Sequence, residues 1–341
     1  MSNTSIGRDL KRRTLLKSAV PLLACAAGLP LQAGAVVNPP FGSRARSESV
    51  LMAAFAPDAR LGFLVRLCRY PGSGVTWAWA QVFDRHQVYS FTDPAWGATR
   101  DATSVEAERV QYASAQGGAF IAFERLGSRA APGSASMRLN LGLHRNPFAP
   151  DGPGRVPVTI EAGFQPHSSA DGILDGRSEI KGKVNARIVI AGRERNLVAQ
   201  GHFHEQQQET PRFVDPFVYF SGWGERINFT LILGVPSAGN GAASSGGIVF
   251  QDGKPRRSTG FSIEPPSASR RFSVKLDDGT VLEGRADARY VYGQRIYGAW
   301  RPSRIVTGMF AGRRMTGMLN DWLPDRLPYI PSSPGAATPS P

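Results

Sequence analysis

The segment Gly201–Phe213, GHFHEQQQETPRF, gathers two histidines, two glutamates and three consecutive glutamines. Three kinds of role fit that mixture. His202 and His204 alternate by two, so on an extended chain their imidazoles share one face. With Glu209 as a carboxylate they make a candidate zinc or iron set, although no histidine follows His204 to enlarge it. A second role is acid–base work by Glu205. In an apolar pocket, desolvation raises a carboxyl until it can donate a proton near neutral pH. His204 and Glu205 face opposite sides of a regular strand, so a bulge or turn must bring both to one cavity mouth. Gln206 then offers an uncharged amide, Arg212 a fixed cation, and Tyr219 and Trp223 aromatic walls. The third role is a polar connection that is solvated or ties two domains together. The residues by themselves leave these three open.

The elements that must position such groups read as β-structure nearly everywhere. Val75, Trp77, Trp79, Gln81 and Phe83 alternate on one face, after a strand at Leu61–Tyr70 and the turn Pro71–Gly74. Further strands are expected at Gln87–Thr92, Ala119–Glu124, Ser136–Leu143, Val156–Phe164, Glu179–Ile190 and Arg195–His204. A second block follows with Phe217–Trp223, Arg226–Val235, Gly247–Gln251, Ser258–Glu264, Arg271–Leu276, Val281–Tyr292, Tyr297–Trp300 and Arg304–Phe310. Asp252-Gly253 and Asp278-Gly279 mark hairpins. Asp101–Ala113 is expected as one short helix, Ala238–Gly246 as a flexible loop and 331–341 as a disordered tail. Many short strands without a strand–helix–strand rhythm point to antiparallel sandwiches or barrels. The blocks divide as 50–204 and 205–327. Cys68, in the apolar run GFLVRLCRY, reads as a buried structural thiol.

The first residues read as an address. KRRTLLK, a modest apolar run and Ala33-Gly34-Ala35 form a secretory leader over residues 1–35, and the paired arginines point to the twin-arginine export machinery. Cys25, after Leu22-Leu23-Ala24, is the alternative processing site. Cleavage after Ala35 places the mature protein in the periplasm. Intact-mass analysis of periplasmic protein is expected to find Val36 first, with export blocked when Arg12 and Arg13 are both lysine. A lipidated Cys25 at the N-terminus overturns this.

The whole chain of 341 residues is 41% hydrophobic with a formal charge of +13. Its basic residues are scattered, without the concentrated footprint that nucleic acid binding requires. No apolar run reaches the roughly 18–20 residues of a membrane-spanning helix, so no stable membrane insertion is expected.

GHFHEQQQETPRF followed by PFVYFSGWG resembles the junction of proteins built from two tandem lipocalin-like β domains. WAWAQVFD, the passage from ARIVIAG to AQGHFHEQ, and GRRMTGMLNDWLPD extend the resemblance over roughly Val50 to Asp325. That superfamily includes the carotenoid hydratases, their bacterial relatives, and fungal hydratases and pericyclases. The resemblance implies an all-β protein of two tandem lipocalin-like antiparallel barrel or sandwich domains, joined near residue 205, with a cavity between them. It places the acid on Glu205, flanked by His204 and Gln206, and gives Asp321 a place at the cavity. It further implies a cofactor-free hydratase, dehydratase or isomerase acting on a double bond of a hydrophobic, isoprenoid- or polyketide-like small molecule. Glu205 would protonate the alkene, His204 orient the acid, and Gln206 or Tyr219 place the water. The reading from a different class is a non-catalytic periplasmic carrier of lipids or hydrophobic metabolites.

Overall fold

The structure, a computed structural model, describes residues 46–94, 96, 108–146, 154–174, 176–209, 217–234, 245–296 and 299–322. The expected leader, Arg212, the loop up to residue 244 and the tail lie outside them.

Ten strands build the first unit: β1 (Ser47–Phe55), β2 (Leu61–Tyr70), β3 (Val75–Asp84), β4 (Gln87–Asp93), β5 (Arg109–Gln116), β6 (Ala119–Gly127), β7 (Pro132–His144), β8 (Arg155–Leu174), β9 (Arg177–Ile190) and β10 (Arg193–Gln208). They pair antiparallel in the order β4-β3-β2-β1-β10-β9-β8-β7-β6-β5, and Ser90 opposite His144 brings β4 back to β7. Eight strands build the second: β11 (Phe217–Trp223), β12 (Ile227–Gly234), β13 (Ser245–Gln251), β14 (Lys254–Ile263), β15 (Ser269–Leu276), β16 (Val281–Ile296), β17 (Ala299–Phe310) and β18 (Arg313–Trp322). These close into a barrel in chain order. The described residues contain no α-helix and no helix long and apolar enough to cross a membrane.

Tight turns hold the hairpins. Ala191 and Gly192 both take positive φ (49° and 78°), as do Asp252 and Gly253 (48° and 78°). Paired left-handed residues match the twist of the flanking strands. Four expectations need correction. β1 lies ahead of the first strand expected, since SESVLMAAF shows no alternation. Both of its faces are buried, and a strand buried twice loses its period-two signature. The helix expected to reach Ala113 is in its described part the strand β5, whose residues alternate exposed and buried from Arg109 to Ser114. β18 completes the barrel beyond the last strand expected, and β17 is one strand where two were expected.

Strand parity sorts the side chains into three cores. Val50, Met52 and Ala54 of β1, Val65 and Leu67 of β2, and Phe203 of β10 fill the inside of the first unit. Val218 and Phe220 of β11, Phe229 of β12 and Leu319 of β18 fill the barrel. The alternate residues form a third core between the units: Leu51, Phe55, Leu64, Trp77 and Trp79 on one side, Tyr219, Trp223, Tyr292, Met318 and Trp322 on the other. Phe55 stacks on Trp223 with centroids 5.4 Å apart. This aromatic seam is where the two outer faces meet. β10 continues through Glu205 to Gln208, so the junction expected at 204/205 falls inside a strand of the first unit.

Candidate active site

Register places the polar core of the seam. On β9 and β10, Glu179 sits opposite His204 and Lys181 opposite His202. On β11 and β12, Ser221 sits opposite Thr230. All six are buried, and the two pairs of strands meet through them.

Glu179 is the hub. His202 Nε2 hydrogen-bonds its Oε2, and His204 Nδ1 lies 3.2 Å from Oε1. A carboxylate only accepts, so both imidazoles carry a proton on the nitrogen facing it. Thr230 donates to Oε2 at 3.0 Å, and Arg177 reaches Oε1 at 3.4 Å. Lys181 Nζ donates to Ser221 Oγ at 2.6 Å and to Thr230 Oγ1 at 3.1 Å, and sits 5.5 Å from the centre of the Trp223 ring. Arg177 lies over Tyr219 at 5.2 Å.

Burial sets the charges. It pulls the Lys181 ammonium down to about 7, with Glu179 drawing it back up. It pushes the His202 imidazolium down to about 4, helped by Lys181, and holds His204 well below the usual histidine range. Both rings are therefore neutral at pH 7. Burial opposes the Glu179 charge, but the two histidines that donate to it keep its carboxyl below the ordinary range. Tyr219 is raised by burial and stays protonated.

One face of this cluster opens on an enclosed cavity of ≈ 30 Å³, roughly one water's share of the liquid. Its wall includes His204, Arg177, Arg66, Tyr219, Trp79, Phe217, Gln294, Asn320, Met318 and Trp322. Glu179 holds His204 by Nδ1, so Nε2 is the ring nitrogen left for whatever occupies the cavity. A carboxylate behind a neutral imidazole is a competent proton acceptor, because the imidazolium formed on taking a proton is stabilised by the charge already beside it.

The expected site residues are redistributed. His204 and Tyr219 line the cavity. Gln206 accepts from Arg177 at 2.8 Å, one step along the same strand face. Trp223 is buried in the seam beside His202 and Lys181, away from the cavity. Glu205 is not brought to His204. β10 keeps its regular pairing through Glu205, and the carboxylate points into the first unit, where Arg125 Nε lies 2.6 Å and Tyr112 Oη 3.1 Å away. Asp321 likewise points inward, into the barrel, where it receives Arg270 at 2.7 Å and Arg304. Glu209 is exposed at the end of β10 and does not join the histidines. Glu179 takes that place.

The ligand atoms of Glu179, His202 and His204 lie within 4.8 Å of one another, close enough for one metal ion to bridge them. Charge argues against that use. The carboxylate already faces Arg177, and Lys181 donates to the same threonine that donates to it. A divalent ion would add to two cations around one carboxylate, and the residues present fit a hydrogen-bonded proton relay better.

Sequence reasoning missed Glu179, Lys181 and Arg177. In RSEIKGKVNARIVI the apolar residues alternate with Glu179, Lys181, Lys183, Asn185 and Arg187. The last three are exposed, as such a pattern implies. Only the start of β9 is covered, by strands β11 and β12, which are remote in sequence.

This architecture is a two-domain, all-β antiparallel fold with one large sheet and one closed eight-stranded barrel. No family model and no curated protein matches the sequence. Among solved structures, CghA matches with a TM-score of 0.55, and 0.56 with Sch210972 bound, both at 12% identity over 82% of this chain and 88% and 89% of that one. A protein assigned as an AttH, NE1406 from Nitrosomonas europaea, gives 0.53 at 10% identity over 82% and 93%. Kievitone hydratase from Nectria haematococca gives 0.50 at 7% identity over 87% and 95%. At these identities the likeness is one of fold.

Proposed function

We propose that this protein is a cofactor-free lyase or isomerase that moves a proton on a hydrophobic small molecule held in the seam, with His204 as the proton carrier. The observation that carries the reading is a neutral histidine on a cavity wall whose far nitrogen is fixed by a buried carboxylate. That a hydratase has the same fold is consistent with it.

In the dehydration direction, His204 Nε2 takes a proton from carbon, the C–H pair becomes the new double bond, and the neighbouring C–O bond breaks. The proton on His204 then goes to the departing hydroxide, giving water. Hydration runs the same steps backward, and isomerisation returns the proton to a different carbon. Glu179 holds the ring and balances the imidazolium. Trp79, Tyr219 and Trp322 supply aromatic faces for the hydrocarbon part of the substrate. The leader read in residues 1–35 supports a periplasmic setting for this chemistry.

The test begins with native mass spectrometry of periplasmic protein, to identify a copurifying small molecule. Incubated with the protein in D2O, that compound is expected to gain deuterium at carbon or change mass by one water. His204→Ala should slow this at least ~100-fold, the scale of a lost general base. A compound returned unchanged and undeuterated by the wild type makes the protein a carrier.

A further inference from the structure

The wall of the seam cavity is cationic. Arg66 and Arg177 line it, and no aspartate or glutamate among the described residues does. Glu179 stands one layer behind, engaged by His202, His204, Thr230 and Arg177. The other nearby carboxylates face elsewhere: Glu205 pairs with Arg125 inside the first unit, and Glu48 with Arg69 at 2.7 Å. Arg66 is held in place, its Nε donating to Ser49 Oγ at 2.7 Å and its guanidinium 5.1 Å from the centre of Trp79.

The same wall carries hydrogen-bonding atoms that meet no partner among the described residues. They are Arg177 Nε, Gln294 Oε1 and Asn320 Oδ1. Gln294 is only 3% exposed and Asn320 9%. Buried polar groups normally find partners, and three such atoms around one cavity point to an occupant. The guanidinium requires an acceptor and the amide oxygens require a donor. A hydroxyl and an anionic oxygen on one molecule satisfy both.

Resting on the proton-transfer reading above, we infer that the substrate is a hydrophobic hydroxy acid or the unsaturated acid it gives on dehydration. Its carboxylate lies against Arg66 and Arg177, and its hydroxyl donates its one proton to Asn320 Oδ1. Two guanidinium groups in a water-poor pocket recognise a carboxylate far better than its ester. At ≈ 30 Å³ the cavity holds about one water, so the head group enters only as wall side chains move aside. The hydrocarbon tail has to displace wall side chains, and Met318, Leu51 and Leu64 are the adaptable ones.

The experiment is a binding measurement that requires no turnover. Tryptophan fluorescence of the mature protein is titrated with 3-hydroxydodecanoic acid, its methyl ester and dodecanoic acid. The hydroxy acid should bind at least ~10-fold more tightly than the ester, the loss expected when a charge-assisted pair is removed. Arg66→Gln should bring the acid down to the level of the ester and leave the ester unchanged, while Arg66→Lys, which keeps the charge, should retain the preference. Asn320→Leu should erase the advantage of the hydroxy acid over dodecanoic acid. Equal binding of acid and ester, a preference that survives Arg66→Gln, or no binding of any probe overturns the inference. None of these outcomes bears on deuterium exchange by His204, so the two readings fail separately.

Discussion

Replacing Glu205 by glutamine should lower the melting temperature by about 10 °C, with no requirement for any change in chemistry. Glu205 is 1% exposed. Its carboxylate receives Arg125 Nε at 2.6 Å and the Tyr112 hydroxyl at 3.1 Å, and the Arg125 guanidinium also donates to the Gly127 carbonyl. Glutamine keeps the shape but leaves the guanidinium buried without its counter-charge. Breaking a buried ion pair from one side costs about 3–5 kcal/mol, and each kcal/mol is worth about 2–4 °C in a protein of this size. Burial raises the Glu205 carboxyl despite the pull of Arg125, so desolvation already consumes much of the attraction. The double variant Glu205→Leu, Arg125→Met should therefore recover most of the loss, because both charges leave together. A Glu205→Gln protein with unchanged melting and abolished turnover would instead restore Glu205 as the catalytic acid.

Glu179→Gln should be worse, and worse at low pH than at high. The change removes the carboxylate that faces Lys181, Arg177 and both histidines. Lys181 titrates near 7 in the folded chain, against 10.5 for the free side chain. Between those values the unfolded chain holds a proton that the folded one lacks, so stability rises with pH across the window, and the penalty is complete below about 7. Without Glu179 the lysine falls further, which widens the window. Urea unfolding should show a loss for the variant that is about 1 kcal/mol larger at pH 6.5 than at pH 9, because below about 7 the wild-type lysine is charged and the variant's is not. Adding Lys181→Met should close most of the gap at pH 6.5. Equal losses at both pH values, unmoved by Lys181→Met, would mean that Lys181 does not carry the charge.

Much of the fold was legible because one face of most strands is wet or loosely covered. Ser136–Leu143 and Arg271–Leu276 alternate exposed and buried as their composition says, whereas Leu61–Tyr70 and Phe217–Trp223, buried on both faces, are bounded by the turn residues that flank them. β1 was not legible, for it is sandwiched between the first core and the seam, and its sequence carries no period. The site was legible only in part. His202 and His204 announced a shared face, and they share it. Glu205 attracted attention by adjacency, yet adjacency on a strand means opposite sides, and nothing bends β10 there. Glu179 looked like one of several solvent-facing charges on β9. What separates it from Lys183 is the approach of Ser221 and Thr230 from the barrel, a long-range fact that no local pattern encodes.

β10 is a partition with a different trade on each side: an ion pair toward the first core, the Glu179–histidine cluster toward the seam. Because its two sets of residues are interleaved one by one, a single added or deleted residue upstream within the strand would exchange them. The imidazoles would enter an apolar interior, and Glu205 would face the aromatic seam without Arg125. A single-residue insertion should therefore be tolerated at hairpin tips such as Ala191-Gly192 and should unfold the protein when placed within β10 upstream of His202. Substitutions on even-numbered positions from His202 to Gln206 act on the seam, while those at Phe203 and Glu205 answer to the stability of the first unit.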